Sequence, residues 1–227
     1  MLERMAIPAE LLRSIPYFSG LAPEIVEETR KLIFDRKFKP GEILLLEGEP
    51  AEALFFLASG AVKIFKTSAE GKEQILSIVR PGESFNDISV FDGDVNPASA
   101  QAMGEVLVHG LSRREVTELI RKHPEVAVNV VKVMAQRVRQ LVTLVEDLSF
   151  RHVISRVAKI LLEYGSQNND PHPRLTQQEI AAMAGTAREV VGRSLKALEE
   201  SGAIRLESHR VVISNKEELQ QMVAEGV

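Results

Sequence analysis

The spacing of apolar residues takes four forms along this chain. Over residues 8–34 it is helical: LLRSI comes first, then APEIVEETRKLI, where Pro23 suits a helix's first turn and Glu24, Glu27 and Glu28 favour its positive end. From Asp35 to Leu111 short alternating runs take over, among them AVKIFKT, EQILSIV and EVLVHGL. Gly60, Gly71, Gly82, Gly93 and Gly104 punctuate this stretch every 11 residues, the strand-plus-turn interval of an antiparallel barrel or sandwich. An 11-residue period also fits a right-handed coiled coil. The β-branched and aromatic residues between the glycines argue against a helix and predict a β-roll or barrel.

The third form runs from Pro124 to Phe150 without a further Gly or Pro. Ala127, Val131, Met134, Val138, Leu141, Val145 and Leu148 follow one another at intervals of 4 and 3, an unbroken a/d stripe. One amphipathic helix packed on its own barrel would explain part of this. The narrowness of the stripe favours a seam between two copies of the helix, hence a homodimer. Val128, Val130, Val133, Val142 and Leu144 add apolar surface beside it, so such a helix can touch barrel and twin together.

The fourth form begins near Arg151. Val153, Val157, Ile160, Leu161 and Tyr164 share a helix face that runs to Gly165, and the polar loop SQNNDPHPR follows. Residues 175–199 then read LTQQEIAAMAGTAREVVGRSLKALE. Two capping boxes are expected, Thr176 with Glu179 and Thr186 with Glu189, and Gly185 between them supplies a turn. That is the pattern of a helix-turn-helix. Unrolled at about 100° per residue, the second helix gathers Arg188, Glu199, Gly192, Lys196, Glu189, Glu200 and Arg193 within about 140°. Ala197, Val190, Ser194, Leu198, Val191 and Leu195 fill the apolar side. Arg188 opposes the helix dipole, so something other than helix stability favours it. Arginine bonds guanine bidentately and glutamate accepts from the cytosine amino group, while Gly192 lets the backbone approach. A solvated face with an Arg193–Glu189 pair is the plainer alternative; the coincidence of corner, central glycine and two arginines outweighs it. SGAIRLESHRVVIS reads as a hairpin turning at Glu207–Arg210, a wing.

Composition narrows the chemistry. Without cysteine the chain offers no disulfide, no thiolate zinc site and no cysteine-held iron–sulfur cluster. The 28 basic and 32 acidic residues give a net charge of −4, so a DNA-binding surface has to be local. MLERMAIPAELL lacks the apolar core of a signal peptide, and no run approaches the roughly 18 apolar residues of a membrane span; a cytoplasmic protein with no membrane partner is expected. Of the five histidines only His109 falls in the strand region, too few for a metal barrel, and no catalytic or metal site is assigned. His109 is expected to be a strand histidine and His152 a hinge residue.

The whole chain from about residue 10 to 215 resembles the cyclic-AMP receptor protein/fumarate–nitrate regulator (CRP/FNR) superfamily. The resemblance rests on GEILLLEGEPAEALFFLASGAVKIFKTSAEGKEQIL, on PGESFNDISVFDG and on LTQQEIAAMAGTAREVVGRSLKALEESGAI. It implies an α+β fold with an N-terminal double-stranded, jelly-roll-like β-roll sensor over residues 1–123, a dimerisation helix over 124–150 and a C-terminal winged helix-turn-helix over 151–227. It further implies a homodimeric regulator of transcription, not an enzyme, that reads palindromic TGTGA-like DNA and has RNA polymerase as a partner. Arg188, Glu189 and Arg193 match the base-reading positions, and Thr176, Gln177, Gln178 and Thr186 match phosphate contacts, to which Lys196 is added.

The sensor positions depart from the family. Its Gly-Glu pair aligns with Asn86-Asp87, and its Arg-Ser pair with Asn96-Pro97 or Pro97-Ala98, so no arginine is present. Its adenine-contacting pair aligns with Leu141 and Val142. The expected effector pocket is therefore Phe85, Asn86, Asp87, Ile88, Ser89, Asn96, Pro97, Ala98, Ser99, Leu141 and Val142, with Asp87 a negative charge lacking an aligned arginine. Cyclic AMP fits poorly there. Another small molecule ranks first, regulation without an effector second and haem third. A bare cyclic-nucleotide-type regulatory module, or a haem-based gas sensor on the same scaffold, are the alternative functions.

Overall fold

The computed structural model describes residues 7–164, 175–207 and 210–225. The loop 166–174 and the wing-turn residues Ser208 and His209 lie outside them. Two compact units emerge, one of residues 1–66 and 76–138, the other of residues 67–75 and 139–227.

In the first unit, α1 (Ala9–Ser14) and a 3-10 turn (Pro16–Phe18) precede α2 (Pro23–Leu32), which has Pro23 in its first turn and Arg30 and Lys31 in its last. The strands are β1 (Phe34–Phe38), β2 (Ile43–Leu45), β3 (Ala53–Ser59), β4 (Val62–Thr67), β5 (Glu73–Val79) and β6 (Ser84–Phe85), then β7 (Ser99–Ala102) and β8 (Val106–Ser112) after helix α3 (Asp87–Asp92). They form two four-stranded sheets, ordered β1-β8-β3-β6 and β2-β7-β4-β5. Phe55, Leu57, Phe85 and Val108 of one sheet meet Val62, Val79, Ala100 and Ala102 of the other in the core between them. The opposite face of β3 puts Leu54 and Phe56 against Tyr17, Phe18 and Val26. Burial on both faces explains why ALFFLA is an unbroken apolar run and not an alternating one.

Of the glycines spaced by 11, Gly60, Gly71 and Gly82 make turns between strands at φ between +79° and +90°; Gly93, at φ +87°, instead caps the end of α3, and Gly104 has no positive φ. A Cβ at Gly60 would stand 2.3 Å from Glu105 O of the backbone, which cannot give way.

Helix α4 (Arg113–Lys122) opens with a full Ser112–Glu115 capping box and leads to α5 (Glu125–Phe150). The α5 row Val126, Val130, Val133 joins the first unit's core, leaving Val131, Val138, Leu141, Val145 and Leu148 exposed at 38–67%.

The second unit comprises residues 67–75 with the start of β5, the end of α5, α6 (Val153–Tyr164), α7 (Gln177–Ala184), α8 (Arg188–Glu200), the hairpin β9 (Ile204–Glu207) with β10 (Arg210–Ile213), and α9 (Lys216–Glu225). Val157, Leu161, Ile180, Ala184, Val191, Leu195, Leu198 and Leu219 form its core. Helices α3, α4 and α9 add to the elements read from periodicity.

Candidate nucleic-acid interface and sensor site

Two helices and the three-residue corner Gly185–Ala187 build the charged face. Thr176 caps α7 by accepting from Glu179 N at 3.2 Å, while Glu179 Oε2 accepts from Thr176 N at 2.6 Å. Gly185, left-handed at φ +64°, ends α7. The second expected capping box does not form. The N-cap of α8 is Ala187 and no side chain caps it, because the helix starts one residue later than the Thr186 reading requires.

Along α8 the buried and exposed sides separate as the periodicity requires. Val191, Leu195 and Leu198 are buried, Ser194 is 7% exposed, and Arg188, Glu189, Arg193 and Lys196 are exposed. Ala197, read as core, is exposed because it stands at the edge of the apolar arc. No ion pair joins Arg193 to Glu189 among the described residues, so both side chains of that expected pair stand apart on the exposed face. A Cβ at Gly192 would meet nothing within 4 Å, so the centre of this face is open. Glu199 is not part of the free surface: its Oε1 accepts from Leu206 N of β9 at 2.7 Å and ties wing to helix. Lys196 Nζ lies 3.9 Å from Glu200. Thr176, Gln177 and Gln178 are exposed at the start of α7, and Thr186 is half-buried at the corner.

Sequence reasoning missed the braces behind this face. Arg156 of α6 donates to Ala184 O at 2.9 Å and to Arg151 O at 2.6 Å. Asp147 near the end of α5 pairs with Arg151 at 2.7 Å and with Lys159. Leu148, expected in the seam, also approaches the corner: a Cβ at Gly185 would stand 2.9 Å from it.

The residues of the first unit expected to line an effector pocket form two segments. Asn86 adopts φ +65°, which asparagine tolerates, and its Nδ2 donates to Ala53 O at 2.9 Å. Asp87 is buried, and the expectation that its charge goes unmatched is wrong. Its Oδ2 accepts from Tyr17 Oη at 2.8 Å and from Arg137 Nε of α5 at 3.3 Å, and its Oδ1 accepts from Ile88 N at 3.2 Å. Arg137 Nη2 also donates to Ser84 O. Burial, and then the charge of Asp87, push the Tyr17 phenol well above its ordinary pKa. Arg137 continues the buried row 126, 130, 133, and an arginine on an apolar stripe was the signal available in the sequence.

Ser89 Oγ donates to Val95 O, Asn96 Nδ2 donates to Leu46 O, and Ser99 Oγ accepts from Glu47 N. Phe85 is buried, Ile88 and Pro97 are exposed and Ala98 is half-buried. A cation does reach this segment: Lys66 Nζ donates to Pro97 O at 3.0 Å and pairs with Glu47 at 2.8 Å. Leu141 and Val142, the remaining pocket residues, belong to the second unit and are 49% and 53% exposed. His109 is a buried strand residue with Nδ1 2.6 Å from Asp35 Oδ1, and His152 is exposed.

Comparison with known proteins places both halves. Residues 35–123 match the family described as cyclic nucleotide-binding domain, and residues 155–222 match the Crp-like helix-turn-helix domain. The chain is 36% identical over 195 residues to the cyclic AMP receptor protein of Thermus thermophilus, covering 86% of this chain and 90% of that one. It is 34% identical to the CRP-like cAMP-activated global transcriptional regulator of Mycobacterium tuberculosis, covering 92% and 97%. FixK2 from Bradyrhizobium japonicum shares the fold at TM-score 0.74 and 23% identity, covering 84% and 96%.

Proposed function

Because the chain belongs to the CRP/FNR family of transcription regulators, we propose that it acts as a homodimer reading a twofold TGTGA-like DNA site, without cyclic AMP as its effector. Residues 1–123 would sense, 124–150 dimerise and 151–227 bind DNA. The observation that carries the reading is the exposed face of α8, where Arg188, Glu189 and Arg193 surround an open Gly192 above a buried apolar side. Two arginines and a glutamate on a major-groove helix suit a half-site containing guanine and cytosine. Thr176, Gln177, Gln178, Thr186 and Lys196 flank that face and suit phosphates, and RNA polymerase is the partner such a bound dimer would address.

Dimerisation is supported by the exposed row Val131, Val138, Leu141, Val145 and Leu148, which water disfavours on a lone helix. The Thermus and Mycobacterium relatives are named for cyclic AMP. In this chain the segment Asn96–Ser99 offers no guanidinium for a cyclic phosphate, and its neighbour Lys66 is paired with Glu47.

Selection from random duplex DNA tests the reading. A palindrome with half-sites about one helical turn apart is expected, bound more weakly as salt rises. Recovery of no palindrome would overturn it.

A further inference from the structure

We propose that the sensor of this protein is closed by its own side chains, the Tyr17–Asp87–Arg137 clamp standing where an effector would act, so that DNA binding needs no small molecule. The proposal rests on the DNA-binding reading above and specifies how it is regulated.

The clamp joins three separate elements of the first unit. Tyr17 comes from the 3-10 turn, Asp87 from the first residue of α3 and Arg137 from α5, and all three bond within 3.3 Å through one carboxylate oxygen. Arg137 reaches past Asp87 to Ser84 O, so β6, α3 and α5 are tied together. About two turns earlier, Asn129 Nδ2 of α5 donates to Tyr17 O at 3.1 Å and to Ser19 O at 2.9 Å. Val126, Val130 and Val133 pack on the same side. The first half of the long helix is thus seated on the β-roll by bonds internal to the protein.

The remaining polar groups of the sensor segments are spent in the same way. Asn86, Ser89, Asn96 and Ser99 each bond to backbone. Among the described residues of these segments, one buried side-chain atom lacks a partner, Asn96 Oδ1. It is an acceptor, the wrong polarity for a phosphate or carboxylate ligand, whose oxygens need donors. An anion could enlist Arg137 only by displacing Asp87 and leaving that carboxylate buried without its cation. A ligand shifts an equilibrium only through unequal affinity for its two states, and an anion here would find no unpaired buried side-chain donor among the described residues of these segments to favour one of them.

The test compares untreated protein with protein unfolded in guanidinium, dialysed free of small molecules and refolded. Operator affinity is read by fluorescence anisotropy, and hydrogen exchange is read over 84–92 and 125–138 without DNA. Stripped and untreated protein should agree within about twofold, and millimolar cyclic AMP or cyclic GMP should change affinity by less than about twofold. Arg137→Met should weaken operator binding by about tenfold or more and speed exchange over both segments, leaving 177–200 unchanged. Arg137→Lys, which keeps the charge, should recover part of the loss.

Loss of affinity on stripping that the removed small-molecule fraction restores would overturn the proposal, as would a gain of about tenfold with either nucleotide. If neither preparation binds any duplex, the DNA-binding reading fails, and exchange alone then judges the clamp. Unchanged protection after stripping supports it; faster exchange over 84–92 refutes it.

Discussion

Replacing Asp147 with alanine isolates one buried charge at the junction of α5 and α6. Asp147 is 9% exposed and holds Arg151 Nε at 2.7 Å and Lys159 Nζ through its two oxygens. Arg151 passes the connection to Val223 O of α9, and Arg156 passes it to Ala184 O at the helix-turn-helix corner. Asp147→Ala therefore leaves two cations without their shared anion. Removing one member of a fully buried pair costs about 3–5 kcal/mol. The Arg151 and Lys159 side chains keep 31% and 23% of their exposure, so solvent screens part of the loss, and about 1.5–3 kcal/mol is expected. Lys159→Met should cost less, about 0.5–1.5 kcal/mol, because Asp147 retains Arg151. Adding Lys159→Met to Asp147→Ala should recover part of the damage, since it removes an unpaired cation. Native-state hydrogen exchange over 145–164 is the appropriate assay, because a chain of two units need not unfold in one step. Protection should fall there and stay unchanged in β3. A cost below about 0.5 kcal/mol, or a double variant no better than Asp147→Ala, would refute the reasoning.

Arg188→Ala or Arg193→Ala should each cost about 1–3 kcal/mol of operator binding and relax preference at one guanine, read by repeating the DNA selection with each variant. Val138→Glu should give monomers in sedimentation that have lost most operator affinity, because a charge on the proposed seam would be buried unpaired at a cost of several kcal/mol; a dimeric variant would remove Val138 from the interface. The Tyr17 phenol has its folded pKa raised, first by burial and then by Asp87, so its contribution to stability is present below the unfolded value of 10.0 and is lost as pH rises above it. An alkaline unfolding titration should show this loss in wild type and lack it in Tyr17→Phe.

How much of the molecule could be read in advance depended on the range of the interaction concerned. The two faces of α8 were legible because helical period alone sorts Val191, Leu195 and Leu198 from Arg188, Glu189 and Arg193. The strand region was legible through Gly60, Gly71 and Gly82, whose positive φ is a local requirement of the turns they make. Thr186 misled because a capping box and a helix starting one residue later share the same letters; the left-handed Gly185 decides between them. Helix α9 went unread because few of its residues are apolar. Leu219 is fully buried with Met222 and Val223 packed nearby, so tertiary contact holds it and periodicity does not announce it.

Asp87 is the instructive failure. Judged by its neighbours in sequence it is an uncompensated acid, since no Lys or Arg stands between Arg80 and Arg113. Its partners come from the N-terminal 3-10 turn and from the long helix, and nothing local encodes either. What the sequence does carry is the other end of the bond: Arg137 stands on the row Val126, Val130, Val133, where every preceding member is committed to the core. A charged residue on such a stripe has to be paired or the helix cannot seat there, since desolvating it alone is prohibitive. The helical period fixes the side of α5 from which the arginine projects, and the strand-to-helix step after β6 supplies the buried acid. Residues 96–99 hold no guanidinium, yet the region is not without an arginine, because α5 brings Arg137 to Asp87 from the other direction.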